Sequence, residues 1–135
     1  MRDQDQSIIP ASHLDLLAST ALANVATIGP DGAPQVNPVW FEWDGTNLLF
    51  GQITTRQKVR NLRRDPRIAV AIVDPANPTR YLEIGGVARL APDPELELTH
   101  RLAKKYLGLD RFPYDAQPGE ERIQVVVEPR HVTYQ

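Results

Sequence analysis

The first half of the chain carries the two-residue periodicity that is typical of β-strands. Apolar residues recur at alternate positions from 21 to 28 and again from 34 to 43, and Gly29-Pro30-Asp31-Gly32 between them is a strong turn signal. Asp44-Gly45 marks a second two-residue turn, after which residues 48 to 50 form a further apolar segment. The pattern therefore predicts a hairpin followed by a third strand, all joined as a meander.

The second half adds longer strands. Residues 67 to 74 are almost all apolar and rich in Val and Ile, as expected of a strand buried on both faces. Residues 81 to 90 predict the next strand, and Gly85-Gly86 in its middle predicts a bulge or a sharp bend. Two further strands are predicted at 123–127 and 131–134. About seven short strands separated by turn signals predict a mainly β protein, an antiparallel β-barrel with peripheral helices.

Three helices are predicted between these strands. Ser12 is expected to cap a short leucine-rich helix, which follows a loose N-terminal tail at residues 1–10. The longest helix is predicted at 94–107, with Pro94 opening it. A chain of 135 residues is long enough to bury a core as a single domain spanning 1–135.

Cationic residues are concentrated in a third, basic helix. Six of the fifteen Lys and Arg residues lie between Thr54 and Arg67, whereas residues 3 to 55 contain none. Thr54 followed by Gln57 fits a capping box, and Thr55 would serve as the cap equally well. The basic charge therefore gathers at one corner, where an apolar strand gives way to a helix.

The start of this helix is a predicted anion site. The free amides of a first helical turn and the positive end of the helix dipole attract anions, and Arg56 and Lys58 add full charges. A phosphate group suits that setting. The alternative is a basic face that is simply solvated, like the solvent face expected from Arg101, Lys104 and Lys105 on the longest helix.

Other chemistries find little support in the sequence. There is no cysteine, the histidines at 13, 100 and 131 are far apart, and the sequence has no serine elbow, GxGxxG motif or Walker loop. A chain without its own nucleophile or metal site is expected to rely on a bound cofactor. The net charge of -2 argues against nucleic acid as a partner. The polar N-terminus and the lack of a ~20-residue apolar stretch indicate a cytoplasmic protein without membrane association.

Two motifs resemble a known family. The Asp31-Gly32-x-Pro34 turn and the segment from Lys58 to Arg67, with the pattern Lys-x-x-Asn-Leu-x-x-Asp-Pro-Arg, are similar to those of the flavin and deazaflavin oxidoreductases of the split β-barrel superfamily. This superfamily contains the pyridoxamine 5'-phosphate oxidases, and the resemblance implies their FMN-binding-like, antiparallel split β-barrel over residues 21–134. The closer resemblance is to the branch that uses coenzyme F420, a deazaflavin with a phosphate and a polyglutamyl tail.

The resemblance implies a homodimer with two cofactor sites at the subunit interface. The cofactor ring would lie against the strand at 35–40, and the phosphate would be held by residues 53–58. Because proline has no amide hydrogen, Pro38 is expected to interrupt the strand ladder beside the ring. The cofactor-binding residues that the resemblance implies are Gln35, Asn37, Pro38, Val39, Trp40, Ile53, Thr54, Arg56, Gln57, Lys58 and Asn61.

The implied activity is hydride transfer from the reduced deazaflavin to an unsaturated small-molecule acceptor, which would sit near the loop at 108–119 and the second subunit. Solvent, or a tyrosine such as Tyr81, would supply the proton. FMN is the alternative cofactor. Oxidation of vitamin B6 is not expected, because the chain stops at Gln135, before the arginine-rich C-terminal portion of true pyridoxamine phosphate oxidases. Two other functions are considered: a noncatalytic flavin or F420 carrier, and a barrel that binds single-stranded nucleic acid.

Overall fold

The computed structural model describes residues 8–135 of the chain. Within them, seven strands form a single antiparallel sheet. The strands are β1 (Ala23–Ile28), β2 (Pro34–Val39), β3 (Glu42–Trp43), β4 (Leu48–Ile53), β5 (Arg67–Val73), β6 (Tyr81–Pro92) and β7 (Arg122–Tyr134). The helices are α1 (Leu14–Ala18), α2 (Gln57–Arg64) and α3 (Glu97–Leu107), with 3₁₀ turns at Ala11–His13 and Pro94–Leu96. The strand order in the sheet is β2-β1-β5-β6-β7-β4-β3.

The two edges of the sheet are joined by a very short connection. β2 forms one edge and β3 the other, yet only Trp40 and Phe41 separate them in the chain. Three Cα steps of about 3.8 Å keep the two edges within about 11 Å of each other at this point. The sheet must therefore curl into a barrel in which β2 and β3 come close together without pairing. We call Trp40 and Phe41 the seam. The predicted antiparallel split β-barrel is confirmed.

The seam also shows that the predicted meander is wrong. Residues 34–43 form two strands rather than one: β2 pairs with β1, and β3 pairs with β4 at the opposite edge. The hairpin of β1 and β2 across residues 29–32 is as predicted. Alternation of apolar residues identifies the two faces of a strand but not its neighbours, so it did not reveal that the chain changes edges at Trp40.

β6 and β7 carry the predicted bend. Their register shifts between Gly85 and Gly86, which lie opposite His131 and Pro129 respectively. A Cβ atom on Gly86 would lie 2.2 Å from the carbonyl oxygen of Glu128. Only glycine therefore lets the two backbones approach this closely at the bulge.

Two strand predictions need correction. The segments predicted at 123–127 and 131–134 are the single strand β7, which continues through Pro129 because that proline sits at the bulge. β5 is not buried on both faces, since only its alternate residues are buried. The barrel interior forms the core, and its largest fully buried side chains in the described part of the chain include Phe41, Phe50, Ile72, Leu82 and Ile84.

The helices pack around the barrel, and two of them start differently from prediction. Ser12 does not cap α1, because it lies in a 3₁₀ turn, its hydroxyl bonds the ring of His13, and α1 begins only after that residue. Pro94 likewise opens a 3₁₀ turn, and α3 follows it. Residues 1–7 of the predicted tail lie outside the described residues, and Ile9 is buried in the core. Among the described helices, none combines the length and the apolar character needed to cross a membrane.

Candidate functional site

α2 begins without a side-chain cap, so the predicted capping box is wrong. Its N-cap residue is Arg56, and no side chain of the described residues bonds the helix start. The backbone amide of Thr54 instead donates to the carbonyl oxygen of Glu121 at 2.9 Å. Gln57 Nε2 donates to Asn61 Oδ1 at 2.8 Å rather than reaching back to the cap. The amides of Arg56 and Val59 donate to the carbonyl oxygens of Ile53 and Arg56, which leaves the amides of Gln57 and Lys58 available to an anion within the described part of the chain.

Lys58 is a buried cation at this helix start. It is 8% exposed, and its Nζ donates to Gln52 Oε1 at 2.9 Å. Burial lowers the pKa of Lys58 below its usual value, and the positive charge of Arg56 lowers it further. Within residues 8–135, neither cation is paired with a carboxylate, whereas Arg67 and Arg80 each bond acidic side chains. The positive charge at this corner is thus uncompensated by the described residues.

Asn61 connects α2 to the sheet. It is fully buried, and its Nδ2 donates to Thr27 Oγ1 at 3.0 Å and to Gln35 Oε1 at 3.1 Å. Its Oδ1 accepts the hydrogen bond from Gln57. Because its donors and its acceptor are used within the protein, Asn61 fixes the side chains of Gln35 and Gln57 relative to each other.

A cleft of about 470 Å³ opens beside this corner. Gln52, the hydrogen-bond partner of Lys58, lies in its wall together with Pro38, Val39 and Trp40 from the predicted ring-binding strand. The wall therefore contains three residues of the predicted ring-binding strand, and the bond between Gln52 and Lys58 connects it to the basic helix. The remaining wall residues come from β4, α3, the loop after α3, the residue before β1 and the start of β7: Leu22, Gly51, Thr99, Leu102, Phe112, Tyr114 and Arg122.

Other predicted residues lie around the cleft rather than in its wall. Asn37 on β2, Ile53 at the end of β4 and Thr54 just after it are half-buried. Among the described residues, the predicted site residues that do not line the wall are Gln35, Asn37, Ile53, Thr54, Arg56, Gln57, Lys58 and Asn61. Pro38 does not interrupt the ladder, since it lies opposite Asn24 of β1 in a continuous register. Proline is tolerated there because β2 is an edge strand, on which one row of backbone groups has no strand partner.

Aromatic side chains form one wall of the cleft. The ring of Trp40 stacks on Tyr106 with centroids 5.2 Å apart and planes 6° from parallel, and it meets Phe112 edge-on at 6.5 Å. Phe112 in turn meets Tyr114 edge-on at 5.3 Å. The guanidinium carbon of Arg122 lies 4.7 Å from the centroid of Phe112. Such a wall suits a flat conjugated ligand, because aromatic faces and edges pack favourably against it.

The sequence analysis named the loop at 108–119 but not Gln52 or the α3 residues of the cleft wall. Phe112 belongs to the loop at 108–119, for which the sequence predicts a place beside the acceptor. Its backbone amide donates to His100 Nδ1 at 2.9 Å, which anchors the loop to α3. Gln52 had a usable signal, since it is a polar residue at the end of an apolar strand that leads into the basic helix. The contribution of α3 had no such signal, because only the tertiary fold brings that helix to the cleft.

Lys105 is not on the solvent face of α3, contrary to the prediction. Its Nζ donates to the carbonyl oxygen of Phe41 at 2.7 Å and lies 3.9 Å from the centroid of that ring. Burial lowers the pKa of Lys105 to about 8. Arg101 and Lys104 are exposed, as predicted. The difference arises because a lysine stem is apolar enough to lie along a buried ring while its ammonium group reaches a carbonyl.

Comparison with known proteins places the fold in a family. The family model for pyridoxamine 5'-phosphate oxidase matches residues 9–135. The solved structure of an F420 reductase is 38% identical, and the match covers 93% of this chain and 98% of that chain with a TM-score of 0.82. A conserved hypothetical protein from Mycobacterium tuberculosis is 26% identical over 99% of this chain and 89% of its own, with a TM-score of 0.72.

More distant structures share the fold alone. A candidate pyridoxamine 5'-phosphate oxidase from Listeria innocua is 21% identical over 91% of this chain and 94% of its own, with a TM-score of 0.71. The turn at Asp31-Gly32 and the segment from Lys58 to Arg67, which carry the resemblance noted in the sequence, both fall within the residues that the family model matches. The chain therefore belongs to the pyridoxamine 5'-phosphate oxidase family of oxidoreductases.

Proposed function

We propose that this protein is a coenzyme F420-dependent reductase, which transfers a hydride from the reduced deazaflavin to an unsaturated small-molecule acceptor. The observation that carries the proposal is Lys58, a buried cation without a carboxylate partner in the described part of the chain, bonded to the cleft wall through Gln52. The similarity to an F420 reductase at 38% identity supports the deazaflavin. FMN is the alternative cofactor.

Burying a charged ammonium group without a counter-charge is unfavourable. The lowered pKa of Lys58 reflects this cost, because burial disfavours its charged form. A phosphate at the start of α2 would supply the missing negative charge. It would also accept hydrogen bonds from the first amides of the helix and from Arg56. A phosphorylated cofactor therefore fits the charge and the donors of this corner.

The cleft fits the ring system of such a cofactor. Its volume of about 470 Å³ lies within the range of about 300–1,000 Å³ that ligand pockets occupy. When bound, the reduced deazaflavin supplies the hydride. Pro38, Val39 and Trp40 would cover the ring from water, and β2 also carries Gln35, whose amide is held in place by Asn61.

The cleft wall offers few groups that can donate a proton. Its hydroxyl groups are those of Thr99, which donates to Asp93 Oδ2 at 2.8 Å, and of Tyr114, which is exposed. Tyr81 lies at the start of β6 and not in the wall. We therefore assign proton delivery to solvent or to Tyr114. The second candidate function is a noncatalytic carrier, because the wall formed by the described residues has no carboxylate or histidine.

The proposal includes a homodimer with two cofactor sites at the subunit interface. β2, which contributes to the cleft wall, is an edge strand, and Val36 on it is 64% exposed. The unpaired backbone groups of an edge strand are available to a partner chain, and pairing there would also bury Val36. A second subunit on β2 would therefore lie next to the cleft.

Titration with F420 and with FMN, followed by fluorescence, tests the cofactor assignment. We expect F420 to bind at micromolar concentration or below, and reduced F420 to be oxidised by at least one member of a panel of activated alkenes and other unsaturated acceptors. Failure of both cofactors to bind at micromolar concentration would remove the enzyme assignment. Tight binding without turnover over the whole panel would favour the carrier.

Lys58→Ala tests the phosphate site. We expect the affinity for F420 or FMN to fall by at least about tenfold, because a hydrogen bond to a charged group contributes about 1.5–3 kcal/mol. The matched control is Arg63→Ala, which removes an exposed cation from the same helix. Circular dichroism and thermal unfolding check that both variants are folded. Equal affinities of the wild type and Lys58→Ala would place the phosphate elsewhere.

A further inference from the structure

The backbone of the seam is held by α3 rather than by a strand. The amide of Phe41 donates to Tyr106 Oη at 3.2 Å, and its carbonyl oxygen accepts from Lys105 Nζ at 2.7 Å. Phe41 lies between β2 and β3, outside the strand pairing of the described sheet. Two consecutive side chains of the last turn of α3 therefore take the place of a strand partner.

Tyr106 makes two further contacts at the same point. Its hydroxyl donates to the carbonyl oxygen of Ala21 at 2.7 Å, just before β1, and its ring stacks on Trp40. Burial raises the pKa of Tyr106, so its hydroxyl keeps the proton that it donates. One half-buried tyrosine thus joins the seam, the start of β1 and the aromatic wall.

The alternating direction of side chains along an extended segment connects the contacts of Phe41 with the cleft. Neighbouring side chains of an extended segment point to opposite sides. Phe41 is fully buried in the core, whereas Trp40 lies in the cleft wall. Because the two residues are adjacent, a contact that fixes the backbone of Phe41 also fixes the direction of the Trp40 ring.

We propose that Tyr106 is a positioning residue of the cofactor site: it holds Trp40 in the cleft wall and thereby controls binding of the flat ring system, while Lys58 controls binding of the phosphate. This inference rests on the proposed function, since it assigns the ring to the cleft. Tyr106 is not itself part of the cleft wall, so its effect on a ligand is transmitted through Trp40.

Two substitutions separate the contacts of Tyr106. Tyr106→Phe keeps the stacked ring and removes the hydroxyl, and Tyr106→Leu removes both. We expect the Kd values for F420 and for riboflavin, which has a ring but no phosphate, to rise about threefold in Tyr106→Phe and about tenfold in Tyr106→Leu. Inorganic phosphate, measured as a competitor of F420, should keep its affinity within about twofold. Lys58→Ala should show the opposite pattern, with weaker phosphate binding and unchanged riboflavin binding.

A second readout needs no ligand. In a Trp43→Phe background, Trp40 is the single tryptophan of the chain. We expect Tyr106→Leu to raise acrylamide quenching of Trp40 about twofold and to shift its emission to longer wavelength, because its stacked partner is lost. Tyr134→Leu, which removes an exposed tyrosine from β7, is the control and should leave Trp40 unchanged. If the wild type binds neither cofactor, the proposed function fails, and the quenching result still decides the role of Tyr106.

The outcomes are distinguishable from simple loss of structure. Wild-type riboflavin and F420 affinities in Tyr106→Leu, or unchanged quenching of Trp40, would overturn the inference. Equal weakening of all three probes together with a broadened urea transition would indicate partial unfolding of that variant. In that case Tyr106→Phe decides whether Tyr106 is a positioning residue. Weaker binding of F420 and riboflavin with unchanged phosphate binding supports the role, and any other pattern overturns it.

Discussion

Lys58 illustrates what the sequence reveals about individual residues. The concentration of Lys and Arg between Thr54 and Arg67 is visible without a structure. Which cation is buried is not obvious, because burial depends on how α2 docks on the sheet. A signal was nevertheless present: Lys58, Asn61 and Leu62 have the spacing of one helix face, and all three are buried.

Burial of Lys58 predicts that cofactor binding weakens at alkaline pH. In the free protein its pKa is lowered by burial and by Arg56, whereas a bound phosphate favours the protonated form and raises the pKa. The charge-dependent part of the affinity is therefore fully present below the pKa of the free protein and is lost as the pH rises from there through the higher pKa of the complex. Titrations of F420 from about pH 7 to about pH 10 measure this decline.

Lys58→Arg provides the control for this pH dependence. A guanidinium group stays charged over the whole range, so the decline should be much flatter in this variant even if its overall affinity is lower. A wild-type affinity that stays constant across the range would show that the charge of Lys58 does not contribute to binding.

At the scale of secondary-structure elements, long-range contacts overrode local signals. α2 was correctly predicted as a basic helix, yet Thr54 does not cap it, because the N-cap position is Arg56, two residues further on. The backbone amide of Thr54 donates instead to the carbonyl oxygen of Glu121, near the other end of the chain. The β1–β2 hairpin and the bulge in β6 were predictable because both depend on local turn and glycine chemistry. A local sequence pattern predicts structure reliably where no distant group competes for the same backbone hydrogen bonds.

The bulge gives a stability prediction. Gly86→Ala should lower the free energy of unfolding by about 2–4 kcal/mol, because the new Cβ would meet the backbone oxygen of Glu128, which cannot turn away. Gly51→Ala is the matched control on β4, where a Cβ would meet Thr99 Oγ1 at an ordinary 3.7 Å. Urea unfolding measures both variants. A similar loss in the two would mean that the backbone at Gly86 relaxes without cost.

For the whole molecule, the sequence predicted the architecture but not the strand order. Strand number and turn signals were sufficient for an antiparallel barrel. The pairing of β1 with β5 and of β4 with β7 joins distant parts of the chain, and no local pattern encodes it. The cleft depends on that order, since its wall combines β2, β4, α3 and the loop after α3. Pro38, Val39 and Trp40 were predicted because the family resemblance implied them, whereas Thr99 and Leu102 lie outside the motifs that carry that resemblance.

The proposed dimer is a property of the whole molecule. Sedimentation equilibrium at micromolar concentration should give twice the mass of the chain, and Val36→Lys should give a monomer with weaker F420 binding, because a charge on the exposed edge strand opposes burial. Thr46→Lys, in the exposed turn between β3 and β4, is the control. A monomeric wild type, or a dimeric Val36→Lys variant with normal F420 affinity, would exclude an interface at β2.

The seam determines where this family can diversify. Inserting or deleting one residue at Trp40 or Phe41 would turn side chains that now face the core toward the cleft, and the reverse. Changes in the length of the seam are therefore expected to be rare. The loop at 108–119 has no such restriction, because it crosses the surface between α3 and β7 while supplying Phe112 and Tyr114 to the cleft. Members of the family that bind different ligands are therefore expected to diverge in the length and aromatic content of this loop and to keep the spacing between β2 and β3.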